Sequence, residues 1–189
     1  SPPRRLVHDP EGLNTAVWPM CPDGLITPVQ AFFTRSHAPT PAIDPARWRV
    51  EVDGLVDRPR GYSLADLDAA FPRREVAATL MCAGLRRDEF LAIGPLPGEL
   101  PWGPEPVSTG RWSGFPLADL LRSAGVGAGA RYVEFIGLDS VERLGRRFGF
   151  GGSIELEKAL DGDVVLATDL NGAPLPPDHG FPLRAVVPG

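Results

Sequence analysis

The sequence predicts a mixed α/β domain, and three observations lead to this prediction. The segment WRVEVDG alternates apolar and charged residues from Trp48 to Val52, which is the period of a half-buried strand. The tetrapeptide Leu-Ala-Asp-Leu occurs at 64–67 and again at 117–120, each time within a short helical pattern that a strand-like apolar run follows. Glycine and proline, at 22 residues each, predict many turns and long ordered loops.

The overall composition limits the classes of protein that fit this chain. The 189 residues are 43% hydrophobic, which suits one globular domain with a sizeable core. A net charge of −5 argues against a nucleic-acid partner, because nucleic-acid binders usually carry a basic balance. No apolar run is long enough to span a membrane, so we expect a soluble protein. Two cysteines are too few for a disulfide framework or a four-cysteine zinc site.

The first half of the chain predicts a loop-rich start followed by helix and strand. Prolines recur throughout residues 1–46, and we expect 1–25 to be an irregular leader. In YSLADLDAAF, Ser63 is the predicted N-cap of a short helix. EVAATLMCAG then predicts a strand that ends at Cys82. A second helix is predicted over FPLADLLRSAGV, with a proline near its first position and Gly125 near its end.

The second half of the chain predicts another strand, ARYVEFIGLD, that ends at Asp139. If this strand is a parallel neighbour of the strand ending at Cys82, both residues lie at one sheet edge, where ligands of open sheets tend to bind. SIELEKAL predicts a third short helix, and DVVLATDLNGAPLP predicts a strand followed by an Asn-Gly turn. No linker is visible within 47–189, which predicts a single domain there.

Cys82 has an unusual setting, because two arginines, Arg86 and Arg87, follow it closely in TLMCAGLRRDEF. A lone cysteine at the end of an apolar strand is usually a small buried hydrophobe. The neighbouring guanidinium groups instead favour a thiolate, which is a nucleophile or a ligand for a soft metal. With only three histidines in the chain, a metal cage made by the protein alone is disfavoured. A cofactor that brings its own remaining ligands needs just one protein thiolate.

TLMCAGLRR resembles the cysteine motif of the sulfite oxidase family of molybdenum enzymes, whose usual form is Thr-Leu-x-Cys-Ala-Gly-Asn-Arg-Arg. Further segments resemble the family's conserved blocks in the same order: ITPVQAFFTRSHAPTPAIDPARWRVEVDG, ELPWGPEPVSTGRWSGFPLADLLRSAGV, GLDS and NGAPLPPDHGFPLRAVVPG. The resemblance covers about residues 26–189. It implies a sulfite-oxidase-type molybdopterin-binding domain of mixed, strand-rich α+β fold over that range, with the molybdenum–molybdopterin cofactor.

The resemblance also implies roles for individual residues. Cys82 matches the cysteine whose thiolate binds molybdenum, and Arg35 and Arg87 match residues that bind the substrate oxyanion. Trp102 matches an aromatic wall of the substrate pocket. Thr168 stands where sulfite oxidases usually have a tyrosine whose hydroxyl faces the metal. The residues that match cofactor-binding positions are Phe33, Thr34, Arg35, Ser36, His37, Cys82, Asp139, His179 and Arg184.

Each of these residues has a simpler interpretation when it is taken singly. Arg35 could be a surface arginine, Trp102 a plain core aromatic and Asp139 a turn residue after its strand. His179 and Arg184 could flank an ordinary loop. The matches keep their order and approximate spacing along the chain, and this argues against the simpler interpretations as a group.

The chain also departs from the family pattern at several positions. Leu85 replaces the usual asparagine of the cysteine motif, Ser36 replaces an asparagine of the first block, and Thr168 replaces the tyrosine that eukaryotic nitrate reductases also lack. Two residues match no family position. We expect His8 to be solvent-exposed in the leader and Cys21 to be a structural or free thiol.

The implied activity is transfer of an oxygen atom to or from a small oxyanion. Oxidation of sulfite to sulfate is the leading reaction, and reduction of nitrate or of an S- or N-oxide is the alternative. Two other classes stay open, a cysteine-redox protein in which Cys82 reacts with peroxide and a non-catalytic relative of the family.

The expected partners follow from the same resemblance. No heme-binding Cys-x-x-Cys-His motif is present, so electrons would leave to a separate carrier such as a c-type cytochrome. Family members continue beyond the final VVPG with a dimerisation domain, so we expect either part of a longer, homodimeric protein or a truncated relative. Family analogy favours the bacterial periplasm as its location.

Overall fold

The computed structural model describes residues 4–9, 12–18, 24–143 and 145–189. The strands in these residues are β1 (Arg4–Val7), β2 (Asn14–Trp18), β3 (Thr34–Arg35), β4 (Val50–Val52), β5 (Arg60–Tyr62), β6 (Arg74–Met81), β7 (Val107–Pro116), β8 (Tyr132–Arg143), β9 (Arg146–Glu155), β10 (Val165–Leu170), β11 (Ala173–Pro174) and β12 (Arg184–Val186). The α-helices are α1 (Leu64–Ala70), α2 (Leu117–Ala124) and α3 (Leu156–Ala159), and short 3-10 turns occupy Val29–Ala31, Arg87–Ala92 and Pro177–His179. The fold is therefore mostly β-structure, as the family resemblance implies.

The chain divides into two compact units, and the single domain predicted over 47–189 stays a prediction. Unit 1 comprises Ser1–Pro39 and Ala77–Arg111, and unit 2 comprises Thr40–Val76 and Trp112–Gly189. Each unit is built from two stretches that are distant in the sequence. A linker-like segment in the sequence would therefore not mark this division. The predicted boundary between a leader and a domain at residue 26 stays a prediction.

Unit 1 contains a three-stranded antiparallel sheet in the order β1-β2-β3. Arg4 pairs with Trp18 across the first two strands, and Asn14 pairs with Arg35 across the next two. The expectation that 1–46 is irregular is therefore wrong for these strands. Proline has no N–H to donate to a neighbouring strand, which is why a proline-rich segment predicts few strands. The prolines of this region, however, lie before or after the strands and not within them. Cys21 lies outside the described residues.

Unit 2 has its core between the helices α1 and α2 and the strand β10. The core cluster includes Leu67 of α1, Leu117, Leu120 and Leu121 of α2, and Leu166 of β10. The leucines of α2 recur at helical spacing, so they form one apolar face. β10 pairs antiparallel with β11, β12 and residues 112–116 of β7.

The sequence-predicted start of α1 and end of α2 in unit 2 are confirmed. Ser63 is the N-cap of α1, and its side chain accepts a hydrogen bond from the backbone N–H of Asp66, whose carboxylate in turn accepts from Ser63. Gly125 ends α2 with φ +74° and donates its N–H to Leu121 O. Asn171 and Gly172 both have positive φ and form the predicted turn between β10 and β11.

The strands β8 and β9 form a two-stranded antiparallel ribbon, which corrects three predictions. Asp139 lies inside β8, not at its end, beside a shift in register between Ile136 and Ser140. β8 pairs with β9 and not with the strand before Cys82, so the predicted parallel arrangement is wrong. The third helix begins only at Leu156, because 153–155 continue β9.

The glycine-rich sequence of β9 explains why this ribbon forms. A Cβ atom on Gly151 would lie 2.4 Å from Phe135 O, so only glycine allows the two strands to approach this closely. In the part of the chain that the structure describes, no helix is long and apolar enough to cross a membrane.

Candidate functional site

Cys82 follows β6 directly, and its position is fixed by the backbone on both sides. Its N–H donates to Pro106 O at 3.0 Å, and the N–H of Gly84 donates to its Sγ at 3.4 Å. The side chain is half-buried and makes no disulfide with any residue that the structure describes. The interpretation of Cys82 as a buried hydrophobe requires a thiol enclosed in a core, and this thiol is only half-buried. Its sulfur is held at the end of a strand, where a ligand can reach it.

The loop after Cys82 is held against the segment 102–106 by further backbone hydrogen bonds. Arg86 N–H donates to Gly103 O at 2.9 Å, and Asp88 N–H donates to Trp102 O at 3.0 Å. Within the loop, Arg87 N–H donates to Gly84 O at 3.0 Å. Cys82, Arg87 and Trp102, which the sequence analysis singled out separately, are thus parts of one hydrogen-bonded frame in unit 1.

The two consecutive arginines have different environments. Arg86 adopts φ +57° and points its exposed side chain to Glu89, which is also exposed. Arg87 is 23% exposed, and its Nη1 lies 2.8 Å from Glu99 Oε2 and donates to Leu100 O at 3.3 Å. Of these two side chains, only that of Arg87 is therefore held within the loop, and its predicted role in binding stays a prediction.

Trp102 is completely buried, and its indole Nε1 has no hydrogen-bond partner among the described residues. The ring of His8 packs on it with a centroid distance of 4.2 Å. His8 Nε2 in turn lies 2.8 Å from Oε1 of the buried Glu105. The expectation that His8 is solvent-exposed is wrong, because the hairpin of β1 and β2 carries it onto Trp102.

The segment from Phe33 to His37 forms a second group of predicted residues in unit 1. Asn14 Oδ1 accepts hydrogen bonds from Arg35 Nη1 at 3.1 Å and from Ser36 N–H at 3.0 Å. Arg35 Nη2 lies 3.2 Å from His37 Nε2. Arg35 is half-buried and bonded at both ends of its guanidinium, so it is not a loose surface arginine.

Two residues that position this segment were not found from the sequence. Asn14 is buried and holds Arg35, and Ser108 is buried and accepts the N–H of Phe33 at 3.2 Å. The β-branched and aromatic residues of NTAVW could have indicated a strand at Asn14. Thr34 is buried too, and its Oγ1 has no hydrogen-bond partner in the described part of the chain.

In unit 2 the structure brings His179 and Arg184 together. Arg184 Nη1 donates to the carbonyl oxygen of His179 at 3.1 Å, and its guanidinium lies over the ring of Trp112 at 5.3 Å. Gly180 between them has φ +98°, and a Cβ there would lie 2.9 Å from Arg184 Cβ. His179 is buried. The glycine therefore allows the loop to fold tightly against the arginine.

Thr168 lies in a bulge of β10, where the register with β7 shifts between Ala167 and Asp169. Its hydroxyl accepts from Arg73 Nη1 at 2.9 Å and donates to Asp169. Burial alone would lower the pKa of Arg73, but its bonds to Asp169 and Asp68 raise it. Thr168 is thus tied to a charged cluster within unit 2, and its catalytic role stays a prediction.

Asp139 belongs to unit 2, whereas Cys82 and Arg35 belong to unit 1. Asp139 is half-buried in β8, and a Cβ on Gly137 would lie 2.5 Å from its Oδ1. The neighbouring glycine therefore leaves room for the carboxylate, although the residue is not at a strand end. Its role in cofactor binding stays a prediction.

The described residues fit a cofactor that is anionic and rich in hydrogen-bonding groups. Burial lowers the pKa of Arg184, and no carboxylate pairs with it among the described residues, so a phosphate would supply the missing counter-charge. The buried donors Trp102 Nε1 and Thr34 Oγ1 have no hydrogen-bond acceptor among the described residues, and such a cofactor would supply acceptors. Cys82 offers one thiolate for a metal that carries its other ligands with it.

Comparison with known proteins agrees with this chemistry. The model of the family described as oxidoreductase molybdopterin binding domain matches residues 37–189. Sulfite oxidase of Gallus gallus is 46% identical over 169 residues, which are 87% of this chain and 36% of that protein. NADH nitrate reductase 2 of Phaseolus vulgaris is 39% identical over 194 residues, which are 100% of this chain and 20% of that protein. The chain thus spans about a third and a fifth of these relatives.

A solved structure has the same fold. The sulfane dehydrogenase SoxCD from Paracoccus pantotrophus superimposes with a TM-score of 0.76 at 30% identity, over 93% of this chain and 42% of that chain. This likeness confirms the predicted strand-rich fold class. Together with the family match, it confirms the predicted cofactor class. The chain belongs to the sulfite oxidase family of oxidoreductase molybdopterin-binding domains, and its cofactor is the molybdenum cofactor.

Proposed function

We propose that the protein is a molybdenum-cofactor oxidoreductase that oxidises sulfite to sulfate. Sulfite gains an oxygen atom that derives from water, and two protons and two electrons leave. The bound cofactor supplies the oxygen-transfer and redox chemistry, while the chain binds and orients the partners. Relatives named sulfite oxidase and a structural neighbour named sulfane dehydrogenase support a sulfur substrate.

The observation that carries this proposal is the frame that joins Cys82, Arg87 and Trp102. Backbone hydrogen bonds from Cys82, Arg86 and Asp88 reach the segment 102–106, so the three side chains have fixed origins. If a metal binds at the Cys82 thiolate, the backbone would therefore fix the positions of the Arg87 cation and the Trp102 ring relative to that metal. Such preorganisation is the main way in which a protein stabilises charge during a reaction.

Each predicted site residue receives a role in this proposal. Cys82 binds the metal, Arg87 and Arg35 hold the substrate oxyanion, Trp102 walls the pocket, and Thr168 of unit 2 is a further catalytic residue. Paired guanidinium groups suit a sulfur oxyanion because their N–H groups match its oxygens in pairs. The residues proposed to hold the cofactor are Phe33, Thr34, Arg35, Ser36, His37, Asp139, His179 and Arg184.

Reduction of nitrate is the second candidate, and Thr168 favours it. The residue stands where sulfite oxidases usually have tyrosine, its hydroxyl is bonded to Arg73 and Asp169, and nitrate reductases are among the relatives. Steady-state assays with sulfite and an artificial electron acceptor, and with nitrate and a reduced dye, separate the two. Turnover of nitrate alone would overturn the sulfite proposal.

We further propose that a separate carrier such as a c-type cytochrome accepts the electrons. We propose a periplasmic location and a homodimer on the same family analogy. Reduction of a purified c-type cytochrome by sulfite in the presence of the protein tests the carrier. Sedimentation of the native-length protein tests the dimer.

The metal site is tested by measuring molybdenum in the purified protein, in Cys82→Ser and in Cys21→Ser. We expect about one molybdenum per chain in the wild type and in Cys21→Ser, and a large loss in Cys82→Ser. Equal molybdenum in both variants would refute Cys82 as the ligand. Protein without molybdenum that forms a sulfenic acid at Cys82 with peroxide would favour the cysteine-redox class instead.

A further inference from the structure

Arg87, the proposed oxyanion-binding residue, already has an anionic partner within its own unit. Its Nη1 lies 2.8 Å from Oε2 of Glu99, a distance typical of a charge-assisted hydrogen bond. Nothing in the sequence analysis assigned a function to Glu99. Because a substrate oxyanion needs the same guanidinium, the position of this carboxylate bears directly on substrate binding.

The guanidinium of Arg87 also has backbone contacts that do not involve the carboxylate of Glu99. It donates to Leu100 O at 3.3 Å, and its Cζ lies against the backbone at Gly84, where a Cβ would come within 2.8 Å. These two contacts come from backbone and would persist without the carboxylate. Loss of Glu99 would therefore remove a counter-charge and leave the cation in place.

Glu99 is also placed so that it can move away. It is 35% exposed against 23% for Arg87, and it follows Gly98, a residue with φ +75° and open space around its Cβ position. Part-exposed ion pairs of this kind are weak, so a dianion of higher charge can displace the carboxylate. The more buried partner, Arg87, would stay and change partners.

We propose that Glu99 is an internal counter-ion that competes with the substrate and product oxyanion for Arg87. This inference rests on the proposed function, since it assigns the regulation of the same oxyanion site. Glu99 neutralises Arg87 when the pocket lacks an anion, swings away when the anion binds, and returns to help expel the product. It thereby limits the affinity for small anions and favours release of sulfate.

The neighbouring ion pair provides a matched control. Arg86 pairs with Glu89 as Arg87 pairs with Glu99, but both partners of the first pair are more than half exposed. Glu99→Gln and Glu89→Gln each remove one negative charge from unit 1, at positions ten residues apart in the sequence. A change in general electrostatics would appear in both variants, and competition for Arg87 would appear only in the first.

The test measures the dissociation constant of inorganic sulfate for the molybdenum-loaded protein by calorimetric titration at fixed ionic strength. We expect Glu99→Gln to bind sulfate about three- to tenfold more tightly, in line with the weak net strength of part-exposed ion pairs, and Glu89→Gln to match the wild type. In an Arg87→Gln background, Glu99→Gln should have no further effect. In turnover, Glu99→Gln should show a lower KM for sulfite and stronger inhibition by sulfate.

The outcomes separate this inference from the proposed function. If Arg87→Gln weakens sulfate binding but Glu99→Gln leaves it unchanged or weakens it too, the counter-ion inference is wrong and the oxyanion site stands. Equal tightening in Glu99→Gln and Glu89→Gln would also refute the inference. If Arg87→Gln leaves sulfate affinity unchanged, both the oxyanion site and the inference fail.

Discussion

A Cβ atom on Gly84 would lie 2.8 Å from Cζ of Arg87 and 2.9 Å from its Nη2, well inside van der Waals contact. The guanidinium thus occupies the space that any other residue at position 84 would fill. Gly84 follows Cys82 by two residues, and its N–H donates to the cysteine sulfur. One glycine therefore serves both the proposed metal ligand and the proposed anion-binding cation.

We expect Gly84→Ala to displace Arg87 and to weaken sulfate binding roughly ten- to hundredfold, the equivalent of about 1.5–3 kcal/mol for a hydrogen bond to a charged group. Molybdenum content should stay near one per chain, because Cys82 itself is kept. The control is Gly94→Ala, since a Cβ at Gly94 has nothing within 4 Å. Equal sulfate affinity in the two variants, measured by calorimetry, would show that Arg87 is not positioned by Gly84.

We expect Gly180→Ala to reduce cofactor loading. The added Cβ would meet Arg184 Cβ at 2.9 Å and would force alanine into φ +98°, so the proposed phosphate partner Arg184 would move. Gly172→Ala is the control, because Gly172 has φ +81° but open space around its Cβ position. Both variants lose stability through strain, and only Gly180→Ala should lose molybdenum. Equal molybdenum per chain in the two would argue against Arg184 as a cofactor-binding residue.

Local patterns in the sequence predicted much of the fold and part of the site. Ser63 as a helix cap, Gly125 as a helix end and the Asn-Gly turn at 171–172 each follow from preferences that act within a few residues. The position of Cys82 at the end of a strand was predicted in the same way. These features depend on sterics and hydrogen bonds between residues a few positions apart, so the local sequence is enough to predict them.

Contacts between distant parts of the chain could not be predicted in this way. The bonds from Asn14 to Arg35, from Ser108 to Phe33 and from Glu99 to Arg87 join residues whose types are common in any loop. Asp139 was predicted to end its strand because an apolar run followed by Asp is typical of a strand end. In the structure, β8 continues to pair with β9 beyond Asp139. Strand pairing is decided by the partner strand, and a single segment does not specify its partner.

We expect Ser63→Ala to lower the free energy of unfolding by about 0.5–2 kcal/mol, the usual cost of removing an N-cap serine. The substitution removes the acceptor for Asp66 N–H and the hydroxyl that donates to the Asp66 carboxylate. Ser123→Ala in α2 is the control, because Ser123 is exposed and such substitutions usually stay within about 0.5 kcal/mol. Urea denaturation followed by circular dichroism measures both, and equal midpoints would refute the capping role.

Asp66 should make the stability of the protein depend on pH in the acid range. Hydrogen bonds from the Ser63 side chain and backbone, together with Arg49, hold the pKa of Asp66 below its usual value of 3.8 despite partial burial. The unfolded chain therefore binds the proton more readily than the folded protein, and stability rises with pH across this range. The stabilisation is fully present above about pH 4 to 5 and is lost as the pH falls through the folded-state pKa.

The measurement compares thermal unfolding of the wild type, Asp66→Asn and Asp53→Asn at pH 7 and at about pH 3. Asp66→Asn should lower the Tm at pH 7, and the difference from the wild type should shrink at pH 3, because protonation has already weakened the carboxylate's bonds in the wild type. Asp53 is exposed and serves as the control for loss of one negative charge. A Tm difference for Asp66→Asn that is the same at both pH values would show that the charge of Asp66 does not stabilise α1. The hydrogen bonds of the capping box would then stabilise the helix without a contribution from this charge.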